Sequence, residues 1–171
     1  LITEEKRINT DIESIQGEAN LFHTFQDKSE LNVKTYYFHS ERGLPGAVIL
    51  YNNESNERLW DDNFFAQARY KKVFNPKWTL QAQGKYNYSW NKYEDTGAEY
   101  VGGKQTDTNR QKEYYLSASV LYQPVKGWSL SLSQDGFINK LHTNGTNSPE
   151  PTRYSSLTAL NIRYQQNGWK V

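Results

Sequence analysis

The residues with the most chemistry in them are three histidines, His23, His39 and His142, and two acidic runs. A zinc centre needs convergent ligands at fixed spacing. These histidines fall in three separate segments, with no HExxH-type pair. Cysteine is absent, which excludes thiolate metal sites and a disulfide framework. Asp61-Asp62 with Glu57, and Glu94-Asp95 with Glu99, are weak calcium candidates, because hard cations want clustered carboxylates. Neither run has the EF-hand spacing, and solvated loop charge is the better reading. Gly102-Gly103 reads as a loop hinge; no Gly-Lys-Ser/Thr follows to make a phosphate loop. Arg42-Gly43-Leu44-Pro45-Gly46 reads as a sharp fold-back in which Gly43 and Gly46 permit positive φ. A second reading makes it a shaped part of a ligand vestibule. No nucleophile, base and orienting group stand together, so no catalytic residue, no cofactor and no enzyme is expected.

The composition turns attention from single residues to the elements that carry them. The 171 residues suffice for one domain. The formal net charge of +1 gives no reason to expect nucleic acid as a partner. Mean hydropathy is −0.92, yet 15% of residues are aromatic, including 13 Tyr and 5 Trp. Disordered chains are polar but poor in aromatics. No apolar run is long enough for a membrane helix. Leu1–Lys6 has no signal-peptide character, so the start is expected to be internal. A polar chain rich in aromatics, with few aliphatics for a core, suits a protein whose inside is wet and whose outside is greasy.

Strict alternation is the dominant pattern. From Trp78 to Asn91 the even positions are Trp78, Leu80, Ala82, Gly84, Tyr86, Tyr88 and Trp90, and the odd positions are all polar. Successive side chains of a strand point to opposite faces. One face is therefore apolar, with Trp78 at one end, small and aliphatic residues in the middle, and Tyr86, Tyr88 and Trp90 at the other. Aromatics at both water boundaries are how a strand fits a bilayer. Weaker alternation predicts seven strands at about 11–25, 30–42, 59–74, 77–92, 112–123, 127–140 and 155–166.

The connections alternate in length. Gln26–Ser29, Asn75–Pro76 and Pro124–Lys126 are tight; Gly43–Arg58, Tyr93–Gln111 and Leu141–Tyr154 are long and polar. Short turns at one end and long loops at the other are the habit of antiparallel up-and-down transmembrane β-barrels. Trp78, Trp128 and Trp169 each open a strand after a tight turn and are expected at one membrane boundary. Trp169–Val171 begins an eighth strand, and the chain is expected to be about seven strands of a larger barrel.

The stretch Tyr36–Phe65, with Ser-Glu-Arg-Gly-Leu-Pro-Gly at Ser40–Gly46 and Asn-Glu-Arg-Leu at Asn56–Leu59, resembles the barrel of TonB-dependent outer-membrane receptors of Bacteroidetes-type bacteria. Tyr154–Val171 is similar in pattern. The resemblance implies a 22-stranded barrel in the bacterial outer membrane, plugged by a separate domain that this stretch does not include. It implies import of a scarce nutrient, such as an iron chelate, cobalamin or a glycan. The implied partners are the lipid bilayer, the rest of the barrel, the plug, and through the plug a TonB-type energising protein. On that reading Arg69, Lys71, Gln81, Gln83, Lys85, Asn87, Asn161 and Arg163 line the lumen. Tyr51, Asn52, Trp60, Tyr93 and Tyr100 are candidate ligand contacts in outer loops. The triplets Asn53-Glu54-Ser55 and Asn144-Gly145-Thr146 are then chance matches to a glycosylation site. Two alternatives remain at this stage: a complete, passive eight-stranded barrel, and a soluble all-β module that stacks aromatics on sugars.

Overall fold

A computed structural model of the chain describes residues 7–46, 55–97, 101–144, 150–166 and 169–170. Eight antiparallel strands form one sheet in chain order: β1 (Ile12–Thr24), β2 (Glu30–Leu44), β3 (Glu57–Asn75), β4 (Trp78–Asp95), β5 (Gln105–Tyr122), β6 (Trp128–Thr143), β7 (Thr152–Gln166) and the short β8 (Trp169–Lys170). The fold is all-β, as the alternation predicts, and each strand pairs with its sequence neighbours. Among the described residues β1 pairs only with β2, so the sheet is open along that edge.

The tight turns have local causes. In the β1–β2 turn the Asp27 carboxylate accepts from the Ser29 backbone N–H at 3.0 Å and from its hydroxyl at 2.6 Å, while Lys28 takes φ 62°. In the β3–β4 turn Asn75 Oδ1 accepts from the N–H groups of Lys77 and Trp78. Both are Asx-type devices. Before β6, Gly127 has φ 90°, and a Cβ there would sit 3.1 Å from the Gln165 carbonyl. A β-bulge between Val73 and Asn75 shifts the β3–β4 register just before the turn.

Six strands run past their predicted loop-side ends, with β2 reaching Leu44 and β6 reaching Thr143. β5 begins at Gln105 rather than at 112, β3 at Glu57, β7 at Thr152, and β4 extends to Asp95. The long connections shrink to 45–56, 96–104 and 144–151. In the longest extension, Gln105–Gln111, both faces are polar: the apolar alternation stops, but the backbone ladder does not. Gly43 is a second correction. It lies within β2 opposite Arg58, and the described glycines with positive φ are Gly102, Gly103 and Gly127. Gly43 is required for close approach instead. A Cβ would meet Asn9 Oδ1 at 2.1 Å and the Asn9 carbonyl at 2.6 Å. Asn9 itself ties two strands together, donating to the carbonyls of Leu44 and Glu57.

The registers fix how the strands lean. Thr24, Glu30, Lys71, Gln81, Ser119, Ser133 and Ala159 form one cross-strand row. Relative to that row, β4 starts three residues lower at Trp78, β6 five lower at Trp128, and β7 ends seven lower at Gln166. The four turns thus descend almost linearly across the sheet. With the turns in one plane, a seven-residue drop over six strand spacings corresponds to a tilt of about 39°, at ~3.3 Å per residue and ~4.8 Å between strands. This lies inside the range of roughly 35–45° required of barrel strands. Each residue along a strand then adds about 2.6 Å of height above the turn plane.

Candidate functional site

The two faces of the sheet differ in kind. Row by row, Leu80, Val120, Leu132 and Leu160 are aligned on one face, as are Val33, Ala68, Gly84 and Leu116. Lys71, Gln81, Ser119 and Ser133 are aligned on the other. Burial is inverted relative to a water-soluble domain. No described hydrophobic side chain is buried; the buried side chains are Ser29, Ser40, Ser55 and Ser117. Leu116 is 70% exposed while its neighbour Ser117 is 8% exposed.

Aromatics bound the apolar face. At the turn end, Trp78 stacks on Tyr122 with centroids 4.2 Å apart, and Trp128 meets Tyr164 at 5.0 Å. Toward the loop end, Tyr86 contacts Phe64 and Tyr114 at 6.4 and 5.1 Å. Tyr88 and Trp90 follow on the same face of β4, opposite Lys112 and Arg110. Trp169 pairs with Gln166, which places its backbone two residues below the row of Tyr164. From Trp78 to Tyr88 is ten residues, or about 25 Å of height at the tilt above, which matches the apolar band of an outer-membrane strand. Lys72 interrupts this face but stands near its lower rim. Its Nζ reaches Asp27 at 2.8 Å and lies over the Phe74 ring, so the ammonium sits at the turn. That contact, with the Ser29 hydrogen bonds, holds the Asp27 carboxyl well below the usual range. Gln134 is the second polar intrusion; it hydrogen-bonds Ser156 and Thr158 across the β6–β7 pair, so the three satisfy one another.

The eight residues expected on the polar face share it by register: Lys71 opposite Gln81, Arg69 opposite Gln83, Lys85 and Asn87 farther along β4, Asn161 opposite Ser131, and Arg163 opposite Ser129. Arg69, Gln83 and Lys85 line a shallow hollow of about 300 Å³ with Asn32, Gln67 and Tyr115. Gln83 Nε2 donates to the Tyr115 hydroxyl at 3.1 Å, which donates to Asp135 at 3.0 Å. Lys85 lies over the Phe65 ring at 4.9 Å, and Phe65 stacks on Tyr36. Among the described residues neither Arg69 nor Lys85 has an ion-pair partner. The hollow is therefore cationic and rich in donors, suited to holding carboxylates or hydroxyl groups. Tyr115, Phe65 and Asp135 were not singled out in the sequence. Alternation places them on the polar face, but only the register makes them neighbours.

The loop and metal candidates fare differently. Tyr51, Asn52 and Tyr100 lie outside the described residues. Trp60 is not in a loop: it lies in β3 on the apolar-face register, with the Lys92 ammonium 4.4 Å from its ring centroid. Tyr93 is in β4 on the polar-face register, opposite Leu59 and Asp107. Asp61 and Asp62 alternate in β3 and so point to opposite faces. Arg42 reaches Asp61 at 3.1 Å and His39 reaches Asp62 at 2.7 Å. Glu94 is held by Lys92 and Lys104. The described residues contain no group of three metal-ligating side chains; Asp61 and Glu94 are engaged by cations, Asp62 by His39, and Glu99 lies outside the described residues. His23, His39 and His142 are in β1, β2 and β6, apart from one another. Asn144 of the second glycosylation-like triplet caps β5, donating to the Thr106 carbonyl and accepting from the Thr108 N–H. No protein-family model matches the chain, and no curated protein matches it.

Proposed function

We propose that this chain is part of the wall of a bacterial outer-membrane β-barrel of the TonB-dependent receptor type, which imports a scarce nutrient. The inversion of burial carries the reading: Leu116 and Leu160 face outward into the surroundings while Ser117 is buried. In water, the exposed apolar residues of this face would each forfeit roughly 1.5–3 kcal/mol of burial; in lipid they lose nothing. The strand tilt of about 39° and the ~25 Å aromatic-bounded band support the same reading. The open β1 edge, a row of unpaired backbone groups, favours a larger barrel in which further strands continue the sheet.

In this role the protein binds and conducts; it does not catalyse. The polar face contacts the plug or the passing nutrient through Arg69, Lys85, Gln83 and Tyr115. Energy from a TonB-type partner, delivered through the plug, moves the plug and opens the lumen. The test is depth-resolved quenching: the whole barrel that contains this stretch is folded into phosphatidylcholine vesicles carrying bromine at defined acyl positions. Trp78 and Trp128 should be quenched best by bromines near the headgroup. A chain that stays monodisperse in buffer without detergent, with unquenched tryptophans, would overturn the membrane reading in favour of a soluble sugar-binding module.

A further inference from the structure

The extension of β5 beyond its predicted start brings together cations that the sequence scatters. On the apolar-face register Lys112 stands directly opposite Lys140, and one step farther out Arg110 stands directly opposite His142. All four are exposed. Like charges directly opposite on one face of an antiparallel pair are destabilising, so Lys112 facing Lys140, with Arg110 two residues farther along β5, calls for a counter-charge. The protein supplies one at the edge only: Glu150 pairs with His142. The other acids on this face of the strands are engaged elsewhere or stand well away: Asp62 by His39, Glu94 by Lys92 and Lys104, Glu41 by Arg58, and Glu13 opposite Glu41 on β1, four strands from Arg110. Glu113, between Lys112 and Tyr114 in sequence, points to the opposite face by alternation. Arg110, Lys112 and Lys140 have no ion-pair partner among the described residues.

Height decides what the counter-charge is. Counting residues from the turn plane along the tilted strands puts Lys112 at about 28 Å, Lys140 at about 31 Å and Arg110 at about 34 Å. The apolar band ends at Tyr88, about 25 Å up. The cations therefore stand just beyond the hydrocarbon edge, at headgroup depth, flanked by Tyr88 and Trp90 on β4 and by Tyr154 on β7, a step below Lys140. We infer that Arg110, Lys112 and Lys140 form a binding site on the outer wall of the barrel for a lipid headgroup bearing phosphate, in the leaflet on the long-loop side. The inference rests on the membrane reading above. A phosphate fits where a carboxylate from another protein does not, because the site faces bilayer and its floor is the acyl-chain region. The lipid relieves the Lys112–Lys140 repulsion, its phosphate takes hydrogen bonds from three donors, and its chains run down past Tyr114 and Leu116.

The experiment uses the whole barrel that contains this stretch, folded in neutral dodecyl maltoside micelles, with bound lipid counted by native mass spectrometry. Phosphatidic acid should bind more tightly than phosphatidylcholine. Lys112→Gln and Lys140→Gln should each weaken phosphatidic acid binding about fivefold, and the pair about 25-fold. The polar-face pair Arg69→Gln with Lys71→Gln should leave it unchanged. Without anionic lipid, Lys112→Gln should be at least as resistant to urea as the parent chain, since repulsion is removed; with phosphatidic acid the order should reverse. Equal lipid binding by the parent and the double variant overturns the inference while leaving the membrane reading intact. Displacement of the lipid by millimolar inorganic phosphate overturns the lipid assignment in favour of a free anion. A chain that ignores micelles altogether overturns both, and detergent dependence alone identifies that case.

Discussion

The strand tilt makes a quantitative prediction about where charge is tolerated on the apolar face. Alternation alone puts Leu80, Leu130 and Leu132 on one face without ranking them. The stagger of the turns ranks them. Leu80 lies about 5 Å and Leu130 about 6 Å above the turn plane, whereas Leu132 lies about 11 Å above it, close to the middle of the ~25 Å band. Arginine on the lipid face costs about 2–4 kcal/mol at the midplane and falls to about 0–1 kcal/mol near the interface. Leu132→Arg should therefore cost about 2–4 kcal/mol, a shift of roughly 30- to 1000-fold in the folding equilibrium. Leu80→Arg should cost clearly less, because its guanidinium can reach the turn-side headgroups as Lys72 reaches Asp27. Ser133→Arg, one residue from Leu132 but on the polar face, should cost little. The assay is urea titration of the whole barrel's folding into phosphatidylcholine vesicles, followed by tryptophan emission. A cost at Leu80 equal to or above that at Leu132 would refute the tilt. Equal costs at Leu132 and Ser133 would refute the facing itself.

Three further outcomes follow from local geometry. Gly43→Ala should destabilise the loop end of β2 by about 1–3 kcal/mol, because the new Cβ meets the Asn9 backbone carbonyl and not only a movable side chain; faster amide exchange at Leu44 and Gly43 would register it. Tyr115→Phe should cost about 1 kcal/mol in a urea titration by removing the hydroxyl that joins Gln83 to Asp135, with the sheet otherwise intact. Asp27 gives a pH dependence: its folded pKa is depressed from 3.8, so its contribution is full above about pH 4 and is lost as pH falls through the folded value. Asp27→Asn should lower the urea midpoint at pH 7, and the gap to the parent chain should narrow as pH falls below 4.

Much of the architecture follows from residue order alone. The pleat sends successive side chains to opposite faces, so the run from Trp78 to Asn91 declares both a greasy and a wet side before any strand is paired. Asp27, Asn75 and Gly127 write the turns, because their hydrogen-bonding and φ requirements are satisfied within a few residues. The strand ends were less legible. Residues Gln105–Gln111 are polar on both faces, so hydrophobic alternation stops at the edge of the apolar band although β5 continues beyond it. Metal chemistry at Asp61-Asp62 looked open in sequence because adjacent acids read as a cluster, yet the same alternation divides them between Arg42 and His39.

Pairing distance is what the linear sequence lacks. Period-two alternation is a property of one strand, and it determined that this protein is a sheet with one apolar and one polar face. Register relates residues as far apart as Thr24 and Ala159, and it is set by turn lengths and cross-strand contacts acting together across the whole sheet. Only the tertiary structure could therefore decide the tilt, the depth of each leucine, the joining of Gln83, Tyr115 and Asp135, and the meeting of Lys112 with Lys140.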